Sequence, residues 1–575
     1  MNKIELDLVN KLAENTYKNQ RELADACGYS LGTVNTALRS LNKEGYTDGM
    51  KLSGKGTAFL QEQKPSSAII LAAGLGMRMI PINSHTPKAL IEVRGERLIE
   101  RIIRQLHEAD IRDIYVVVGF MKESFEYLID DFNVKLIVNR DYASKNNFHS
   151  LYLAKKYLSD SYVIPGDMWC AENPFSRYET YSWYMVSDKK TSKSAVRVNR
   201  RQELIRTEGA GNEMVGFAYL KKDACEYVKK KLAAFEKDEK KTDYFWDDAL
   251  YDDEKMIVYA NVVTAGEVIE IDTYEQLREI DADSSQLNTE AIATAAEALH
   301  TDTASIRDVT VLKKGMTNRS FMFTCGDHKY IMRIPGEGTQ QLINRRQEAA
   351  VYDVIRDKGL SDDIVYINPD NGYKITKFIE DARNCDPMDD DDVRRCMKKL
   401  RGFHEMKLKV DHFFDIFGLI DFYESLWNGK DSVYRDYKKT KERVFELKNY
   451  IDACDKDICL THIDAVCDNF IMTDDIRLID WEYAGMQDPH VDLAMFCIYA
   501  MYDREHVEKL IDAYFPEGCD AGTRTKIYCY IAACGLLWSN WCEYKLQLGV
   551  EFGEYALAQF RYAKDYYRLA KERME

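Results

Sequence analysis

The sequence predicts a multidomain protein of mixed α/β and α+β class. Its 575 residues exceed what one hydrophobic core usually supports. A buried strand that runs directly into a glycine-rich turn near residue 70 is typical of an α/β sheet. An apolar hairpin with regularly spaced polar residues lies between residues 460 and 482. We expect three units, at residues 1–64, 66–284 and 285–575.

The composition indicates a globular protein. Its 46% hydrophobic and 30% charged residues are ordinary, and its formal net charge of -17 argues against general binding to polyanions. The 14 cysteines show no metal-binding spacing and the N-terminus has no apolar signal segment, so we expect reduced thiols and a cytoplasmic location. No apolar run is long enough to span a bilayer, so we expect no membrane insertion. Homo-oligomer formation is left open.

Residues 1–64 have the spacing of a small helical unit with a β-wing. Ser30 caps a helix predicted over residues 31–43, and glycines bound two short strands after it. This layout resembles the winged helix-turn-helix domains of the multiple-antibiotic-resistance regulators, whose second helix enters a DNA major groove. Nine Lys/Arg stand against eight Asp/Glu in this unit. Because a strong DNA binder usually shows a basic footprint, DNA binding and a protein-interaction role both stay open.

The stretch over residues 68–88 predicts a phosphate-binding turn. Backbone N–H groups at the end of an apolar strand can approach a triphosphate, and Arg78 and Lys88 add positive charge. The run L-A-A-G-x-G-x-R followed by P-K resembles the signature of sugar-phosphate and choline-phosphate nucleotidyltransferases. The resemblance covers residues 68–280 and implies a Rossmann-like sheet that binds CTP, with Arg78 and Lys88 in catalytic roles. The nucleotide-binding residues of the turn are Ala73, Gly74, Leu75 and Gly76.

Two apolar strands of this domain end in aspartates. Asp167 ends the stretch 161–167, and Asp272 ends the stretch 267–272. Because ligands bind at the carboxyl ends of the strands in an α/β sheet, we expect these carboxylates to hold Mg2+ against the nucleotide phosphates. Relatives in the nucleotidyltransferase family use such an arrangement. A helix cap is the alternative for Asp272.

Polar and aromatic residues elsewhere in this domain predict base and substrate contacts. Asn147 and Ser150 match the family loop and helix beside the nucleobase, with surface capping as the alternative. The resemblance also implies an aromatic box for the quaternary ammonium group of phosphocholine, helped by carboxylates. Plain core packing is the alternative for the aromatic residues. The candidates are Tyr184, Trp246 and Asp248.

Residues 460–482 predict a phosphoryl-transfer centre. The pattern H-x-D-x-x-x-x-N runs from His462 through Asp464 to Asn469, and a short strand then leads to Asp480. One carboxylate can accept the proton of a hydroxyl nucleophile, while an amide oxygen and a second carboxylate hold Mg2+. The pattern, followed by I-D-W-E, resembles the choline kinase and aminoglycoside phosphotransferase family. This implies a bilobal protein-kinase-like fold. Asp464 is then the base and His462 orients its loop, while Asn469 and Asp480 bind the metal.

The preceding residues predict the ATP-binding lobe of that fold. Two strands form a hairpin over the nucleotide phosphates, a cation on the next strand meets the phosphates, and a helix carboxylate pairs with that cation. A solvated helix charge is the alternative for the carboxylate. The residues concerned are Gly315, Thr317, Asn318, Arg333 and Glu348.

Tryptophans predict the amine site of the C-terminal lobe. Trp538 and Trp541 share one face of a helix, and choline kinases carry such a pair beside the choline site. Trp481, next to Asp480, is a third candidate for a substrate contact. Core packing is the alternative for the helix pair.

Together the motifs predict a bifunctional enzyme. ATP phosphorylates choline, and CTP then reacts with phosphocholine to release pyrophosphate, with Mg2+ at both sites. The two reactions are consecutive and imply the same cationic ligand. One alternative keeps the reactions and changes the amine to ethanolamine or an aminophosphonate. Another is a transcription regulator with degenerate enzyme domains, against which the intact set of Asp464, Asn469 and Asp480 argues.

Overall fold

The computed structural model describes residues 1–82, 86–312, 318–336, 342–547, 550 and 552–575. The chain divides into two units, Met1–Ile292 and Ala293–Glu575. Within the described ranges, no helix is both long enough and apolar enough to cross a membrane.

The N-terminal part of the first unit is a winged helix. Its elements are α1 (Lys3–Glu14), α2 (Gln20–Cys27), α3 (Leu31–Glu44), β1 (Thr47–Asp48), β2 (Lys51–Leu52) and α4 (Gly54–Gln61). Ser30 caps α3 by accepting a hydrogen bond from the Thr33 N–H, and Gly45 ends that helix in the left-handed conformation. The helices bury a small shared core that contains Leu8 and Val34. The predicted winged helix is confirmed.

The rest of the first unit is a mixed sheet with helices on both faces. Its strands are β3 (Ser67–Ala72), β4 (Glu92–Val93), β5 (Glu96–Arg97), β6 (Ile114–Val118), β7 (Lys135–Val138), β8 (Ser161–Pro165), β9 (Met168–Cys170), β10 (Trp183–Thr191), β11 (Val196–Val198), β12 (Glu203–Arg206), β13 (Gly211–Leu220), β14 (Tyr251–Asp252), β15 (Lys255–Val263) and β16 (Val268–Glu270). Its helices are α5 (Leu98–Glu108), α6 (Tyr127–Phe132), α7 (Asn147–Ala154), α8 (Lys222–Phe235) and α9 (Tyr274–Ile280). The strand order is β11-β12-β15-β10-β13-β8-β3-β6-β7, with β14 beside β15.

The centre of this sheet is parallel and buried on both faces. Strand β3 pairs in parallel with β6 and β8. Ala68 and Ile70 enter the core on one face, and Ile69 and Leu71 enter the core on the other. A parallel sheet covered on both faces reads as a continuous apolar run, which is the pattern that the sequence shows there. The predicted Rossmann-like architecture is confirmed.

Helix α1 joins the winged helix to the sheet near the start of β10. The Asp7 carboxylate accepts hydrogen bonds from the Tyr29 and Tyr181 hydroxyls, the second at 2.6 Å. The Lys3 ammonium lies 4.8 Å from the centre of the Tyr181 ring. The Tyr181 and Tyr259 rings pack edge to face at 5.5 Å. Because Tyr29 immediately precedes the cap of α3, Asp7 links that cap to the sheet.

The second unit has a β-rich lobe followed by a helical lobe. Helix α10 (Glu290–Ala298) contains the boundary of the two units. The strands are β17 (Arg307–Val311), β18 (Asn318–Cys325), β19 (His328–Pro335), β20 (Ile364–Ile367), β21 (Lys374–Lys377), β22 (Arg383–Asn384), β23 (Cys459–Thr461), β24 (Phe470–Met472), β25 (Ile476–Leu478) and β26 (Gly485–Gln487). The helices are α11 (Arg345–Ile355), α12 (Asp390–Glu405), α13 (Ile416–Ser425), α14 (Tyr437–Ala453), α15 (His490–Tyr499), α16 (Arg504–Tyr514), α17 (Ala521–Gln547) and α18 (Glu554–Met574).

The two lobes differ in secondary structure. The first lobe contains an antiparallel sheet of order β17-β18-β19-β21-β20, and α11 contacts this sheet through Glu348, which pairs with Arg333. The second lobe surrounds α17, which is buried along most of its length. A helix that is apolar on all sides belongs in the interior of a bundle. The short hairpin of β24 and β25 lies in the helical lobe. The predicted two-lobed, kinase-like fold is confirmed.

Candidate active sites

A cavity of about 680 Å³ opens at the carboxyl ends of β3 and β8. It collects residues from stretches that are far apart in the sequence, as expected at the ligand-binding edge of an α/β sheet. The predicted residues that line it are Ala73, Gly74, Leu75, Gly76, Arg78, Lys88, Asn147, Ser150, Asp167, Tyr184, Trp246 and Asp272.

Three carboxylates converge at one end of this cavity. Asp167, Glu270 and Asp272 each offer an oxygen within 4.8 Å of the others. Strand β16 pairs with β9 and not with the main sheet, and this pairing carries Asp272 back to Asp167. Thr273, not Asp272, caps the next helix, so the capping alternative for Asp272 is wrong. Clustered carboxylate oxygens are the ligands that Mg2+ prefers, so this set fits the metal.

Two cations face the carboxylates. The Lys88 ammonium contacts Asp167 and Asp272 and lies 3.5 Å from Glu270. The Arg78 guanidinium lies 2.6 Å from Asp272. Burial acts to lower the pKa of Lys88, but the carboxylates outweigh it and raise that pKa. Lys88 is therefore charged, and its positive charge offsets the mutual repulsion of the three carboxylates.

Glu270 is a site residue that the sequence reading missed. Burial, with the negative charge of Asp167 adding, raises the pKa of Glu270 to about 7. Glu270 stands two residues before Asp272 on an extended stretch, and residues two apart lie on the same face of a strand. The two-residue spacing from Asp272 could therefore have identified Glu270 from the sequence.

Aromatic rings also line this cavity. The Tyr184 and Trp246 rings lie 6.0 Å apart, and the Tyr184 hydroxyl donates to Asp247 at 3.1 Å. Burial, with Asp248 adding, raises the pKa of Asp247 to about 6. The predicted carboxylate, Asp248, instead accepts a hydrogen bond from the Phe245 N–H in its own turn. Asp247, which lines the cavity, was missed.

The two residues predicted to contact the base are engaged within the protein. The Asn147 side-chain oxygen accepts a hydrogen bond from the Trp246 N–H at 2.8 Å. The Ser150 hydroxyl accepts one from the Asn139 amide at 3.0 Å. Asn147 therefore holds the turn that carries Trp246, while both side chains still border the cavity.

The second unit brings Asp464, Asn469 and Asp480 together. The Asn469 amide donates to the Asp464 carboxylate at 3.1 Å. One carboxylate oxygen of Asp480 is buried and accepts no hydrogen bond from the described residues. Burial, with Asp480 and Glu482 adding, raises the pKa of Asp464 to about 8. The unpaired carboxylate oxygen of Asp480 and the side-chain oxygen of Asn469 are donors of the kind that Mg2+ prefers.

His462 positions the loop that carries Asp464. It is fully buried, and its Nε2 hydrogen-bonds the Ile479 carbonyl at 3.0 Å. Burial lowers the pKa of His462 to about 4, so the ring is neutral at neutral pH. A buried neutral ring acts through packing, which agrees with the orienting role predicted for it.

Asp492 anchors the same loop and was missed by the sequence reading. Its carboxylate accepts the backbone N–H groups of His462 at 3.0 Å and Ile463 at 2.6 Å, and His404 lies 2.9 Å from it. Ile463 has φ of 71°, which is costly for a β-branched residue. The bidentate acceptor stabilises this backbone turn just before Asp464.

Arg333 and Glu348 form a buried ion pair in the β-rich lobe. Glu348 is 1% exposed, so the solvated-charge alternative is wrong. Burial acts to raise the pKa of Glu348, but Arg333 outweighs it and lowers that pKa to about 2. Arg333 also lies 3.8 Å from Asp480. The pair therefore sets a fixed cation beside Asp480, the carboxylate predicted to bind the metal.

Arg345 and Glu482 extend this network. Arg345 lies 2.9 Å from Glu348 and 3.1 Å from Glu482, and it donates to the Asn318 oxygen at 3.0 Å. The Asn318 amide donates to Glu482 at 2.9 Å. Neither Arg345 nor Glu482 was predicted, although Glu482 belongs to the I-D-W-E motif. Gly315 and Thr317, predicted to bind nucleotide, lie outside the described residues.

Aromatic rings crowd the region near Asp464. Trp538 packs edge to face on Tyr483 at 5.8 Å and on Trp541 at 5.4 Å. Burial, with Tyr423, Glu482 and Asp464 adding, raises the pKa of Tyr483, which follows Glu482 in the sequence. Tyr483 was not predicted.

Trp481 does not join that aromatic group. It has no exposed surface, and its indole N–H donates to the Leu478 carbonyl at 2.6 Å. It packs edge to face on Phe403 at 5.0 Å and beside His462 at 4.4 Å. The structure therefore gives Trp481 a core position behind the catalytic loop and not a substrate contact.

Comparisons with known proteins agree with the three folds. A winged helix-turn-helix DNA-binding model matches residues 1–46, a MobA-like NTP transferase model matches 68–182, and a choline/ethanolamine kinase model matches 309–514. The predicted combination of a nucleotidyltransferase, a choline kinase-like domain and a winged helix is thereby confirmed.

Individual relatives cover single parts of the chain. Choline-phosphate cytidylyltransferase of Streptococcus pneumoniae is 34% identical, covering 37% of this chain and 96% of the relative. The 2-aminoethylphosphonate cytidylyltransferase of Lancefieldella rimae is 32% identical, and the match covers 38% of this chain and 92% of the relative. The crystal structure of choline kinase LicA from Streptococcus pneumoniae matches with 27% sequence identity and a TM-score of 0.43. The match covers 48% of this chain and 98% of that protein.

Proposed function

The chain belongs to the choline-phosphate cytidylyltransferase family through its nucleotidyltransferase domain, and on that premise we propose that it catalyses two consecutive transfers on one amine. ATP phosphorylates choline, and CTP then converts phosphocholine to CDP-choline. The observation that carries this proposal is the presence of two separate carboxylate sets in one chain. One set faces Lys88 and Arg78, and the other lies beside the Arg333–Glu348 pair.

In the proposed kinase reaction, the choline hydroxyl oxygen attacks the γ-phosphorus of ATP. The bond from that phosphorus to the bridging oxygen breaks, and ADP leaves. Asp464 accepts the hydroxyl proton, for which a pKa near the working pH is favourable. Arg333 neutralises the nucleotide phosphates, and Asn469 and Asp480 would hold Mg2+. When bound there, the metal would supply positive charge against the transferring phosphoryl group.

In the proposed cytidylyl transfer, a phosphate oxygen of phosphocholine attacks the α-phosphorus of CTP. The bond from that phosphorus to the bridging oxygen breaks, and pyrophosphate leaves. Lys88 and Arg78 stabilise charge that develops on the phosphates, and the backbone from Ala73 to Gly76 cradles the triphosphate. Asp167 and Asp272, joined by Glu270, would hold Mg2+. When bound there, the metal would supply positive charge at the reacting phosphate.

Choline is the amine that the aromatic surroundings favour. A trimethylammonium group cannot donate a hydrogen bond, so aromatic faces and nearby carboxylates must recognise it. In the kinase, the cluster of Tyr483, Trp538 and Trp541 would supply such faces. In the cavity of the first unit, Tyr184 and Trp246 would supply the faces and Asp247 the carboxylate. A 2-aminoethylphosphonate is the second candidate for the cytidylyl transfer, because one relative of similar identity is named for it.

Replacement of Trp538 tests the choice of amine. Trp538→Leu is expected to raise the KM for choline about tenfold, since loss of one cation–π contact worth about 1.4 kcal/mol corresponds to one decade. Trp538→Phe is expected to recover part of the loss, because Phe keeps a π face. The KM for ATP should not change. Steady-state kinetics with each substrate varied in turn provides the measurement.

Trp427→Phe is the matched control for this test. Trp427 is also buried, and its indole N–H donates to the Asn540 carbonyl at 3.2 Å. Its replacement should lower the melting temperature without a selective effect on choline. The aromatic assignment fails if Trp538→Leu and Trp538→Phe raise the choline KM equally, or if ethanolamine outcompetes choline in the unmodified enzyme.

Duplex DNA is the partner that we propose for the winged helix. Arg39 and Lys43 are exposed on α3, and among the described residues neither has a carboxylate at ion-pairing distance. Asp7, in contrast, is engaged by Lys3 and Tyr181 at the docking surface of α1. This arrangement supports α3 as the helix that enters a major groove.

A further inference from the structure

One edge of the nucleotidyltransferase sheet is strongly basic. Residues 189–206, from the end of β10 through β12, contain seven Lys/Arg and one Glu in a chain whose formal net charge is -17. Strand β11 is the last strand of the sheet on this side. We use the name basic edge for the exposed cations Lys193, Arg197, Arg200, Arg201 and Arg206.

The protein does not neutralise the basic edge. Lys189 pairs with Glu213 at 3.4 Å, and Lys190 donates to the Asn212 oxygen, so these two neighbours are engaged. In the part of the chain that the structure describes, no carboxylate lies at ion-pairing distance from the five cations of the basic edge. Glu203, the acid within the segment, pairs with Lys255 at 3.1 Å. A polyanion from outside the chain can therefore meet this surface.

The basic edge lies beside the docking surface of the winged helix. Glu203 pairs in register with Tyr259, and the Ala260 N–H donates to the Gln202 carbonyl at 2.8 Å. Tyr259 in turn packs on Tyr181, which donates to Asp7. The turn with Arg200 and Arg201 is therefore one strand away from the ring on which α1 docks. Through Asp7 the same contacts reach Tyr29, the residue before the cap of α3.

We propose that the basic edge binds the phosphate backbone of duplex DNA beside the segment that α3 contacts. This inference rests on the proposed DNA binding by the winged helix. That domain carries nine Lys/Arg against eight Asp/Glu, too small an excess for a strong footprint, and the basic edge supplies the missing charge. Four of its five cations are arginines, whose planar fork matches phosphate oxygens.

An anionic membrane surface is the less favoured partner. Interfacial binding of a protein segment normally combines cations with apolar anchors that enter the headgroup region. Among the described residues of 189–206, no large hydrophobic side chain is exposed. Charge without apolar anchors fits a phosphate backbone better than a lipid surface.

The test is binding of the full chain to a labelled 30-bp duplex of random sequence over a range of salt concentrations. Arg200→Ala/Arg201→Ala is expected to lower the magnitude of the slope of log K against log salt by about 1.8, because each phosphate contact contributes about 0.9. Arg39→Ala/Lys43→Ala is expected to lower it similarly. Lys122→Ala/Lys135→Ala removes the same charge from the far side of the sheet, where β7 is the last strand, and should leave the slope unchanged.

Each contrary outcome has a separate meaning. If the unmodified chain binds no duplex at low salt, the proposed DNA binding and this inference both fail. If the duplex binds and Arg39→Ala/Lys43→Ala weakens it while Arg200→Ala/Arg201→Ala does not, only this inference fails. If Arg200→Ala/Arg201→Ala loses binding to phosphatidylglycerol vesicles but keeps duplex binding, the basic edge is a membrane surface. If this variant keeps duplex binding but shows a salt-dependent fall in kcat/KM for CTP, the basic edge is a steering surface for substrate. Both outcomes overturn the inference.

Discussion

We expect Asp464→Asn to lower kcat for choline phosphorylation about 10²- to 10⁴-fold and to leave the conversion of supplied phosphocholine unchanged. The magnitude is that of a positioned proton acceptor. Asparagine keeps the shape of the side chain, and its oxygen can still accept the hydrogen bond from the Asn469 side-chain amide. It cannot take the hydroxyl proton. The measurement is a pair of assays on one preparation, with choline and ATP in the first and phosphocholine and CTP in the second.

Asp474→Asn is the matched control for this variant. Asp474 lies on the exposed turn of the hairpin that joins β24 and β25, so the chemical change is the same and the distance along the chain is short. It should leave both activities intact. Equal loss of the two activities in Asp464→Asn would contradict the proposal that the sites are independent.

We expect Asp167→Asn to have the reciprocal effect. It removes one of the three converging carboxylates and leaves Lys88 without one of its two contacting partners. Loss of one preorganised electrostatic group costs about 10²- to 10³-fold in kcat. We therefore expect cytidylyl transfer to fall by about that factor, while phosphorylation of choline continues and phosphocholine accumulates.

Asp131→Asn controls for a general effect of losing a carboxylate in the same domain. Asp131 is exposed on α6, a helix that contributes no residue to the carboxylate cluster. A fall in choline phosphorylation in Asp167→Asn, with no change in Asp131→Asn, would mean that the assignment of one reaction to each carboxylate set is wrong.

Local spacing explains how much of the kinase site could be predicted. Asp464 and Asn469 are five residues apart on one turn, and Asp480 follows a short strand, so their proximity depends on a single hairpin. The anchor Asp492 comes from the first turn of α15, and its contact with the Ile463 N–H depends on how that helix packs on the loop. No short-range pattern encodes such a contact.

In the carboxylate cluster of the first unit, too, one contact was predictable from the sequence and another was not. The ends of β3 and β8 meet because parallel strands share one edge, which the sequence predicted through Gly74 and Asp167. Glu270 joins them because β16 pairs with β9, and that pairing was not predicted. Trp481 shows the limit for aromatic residues, since a tryptophan beside a metal-binding aspartate reads as a substrate contact until packing on Phe403 shows a core position.

The central claim is that one chain performs both transfers on the same amine. The most direct measurement incubates the unmodified protein with radiolabelled choline, ATP, CTP and Mg2+, and separates the labelled products over time. We expect phosphocholine to appear first and then to be converted to CDP-choline, with one pyrophosphate released per CDP-choline formed. Accumulation of phosphocholine without CDP-choline in the presence of CTP, or label that stays in choline, would contradict it.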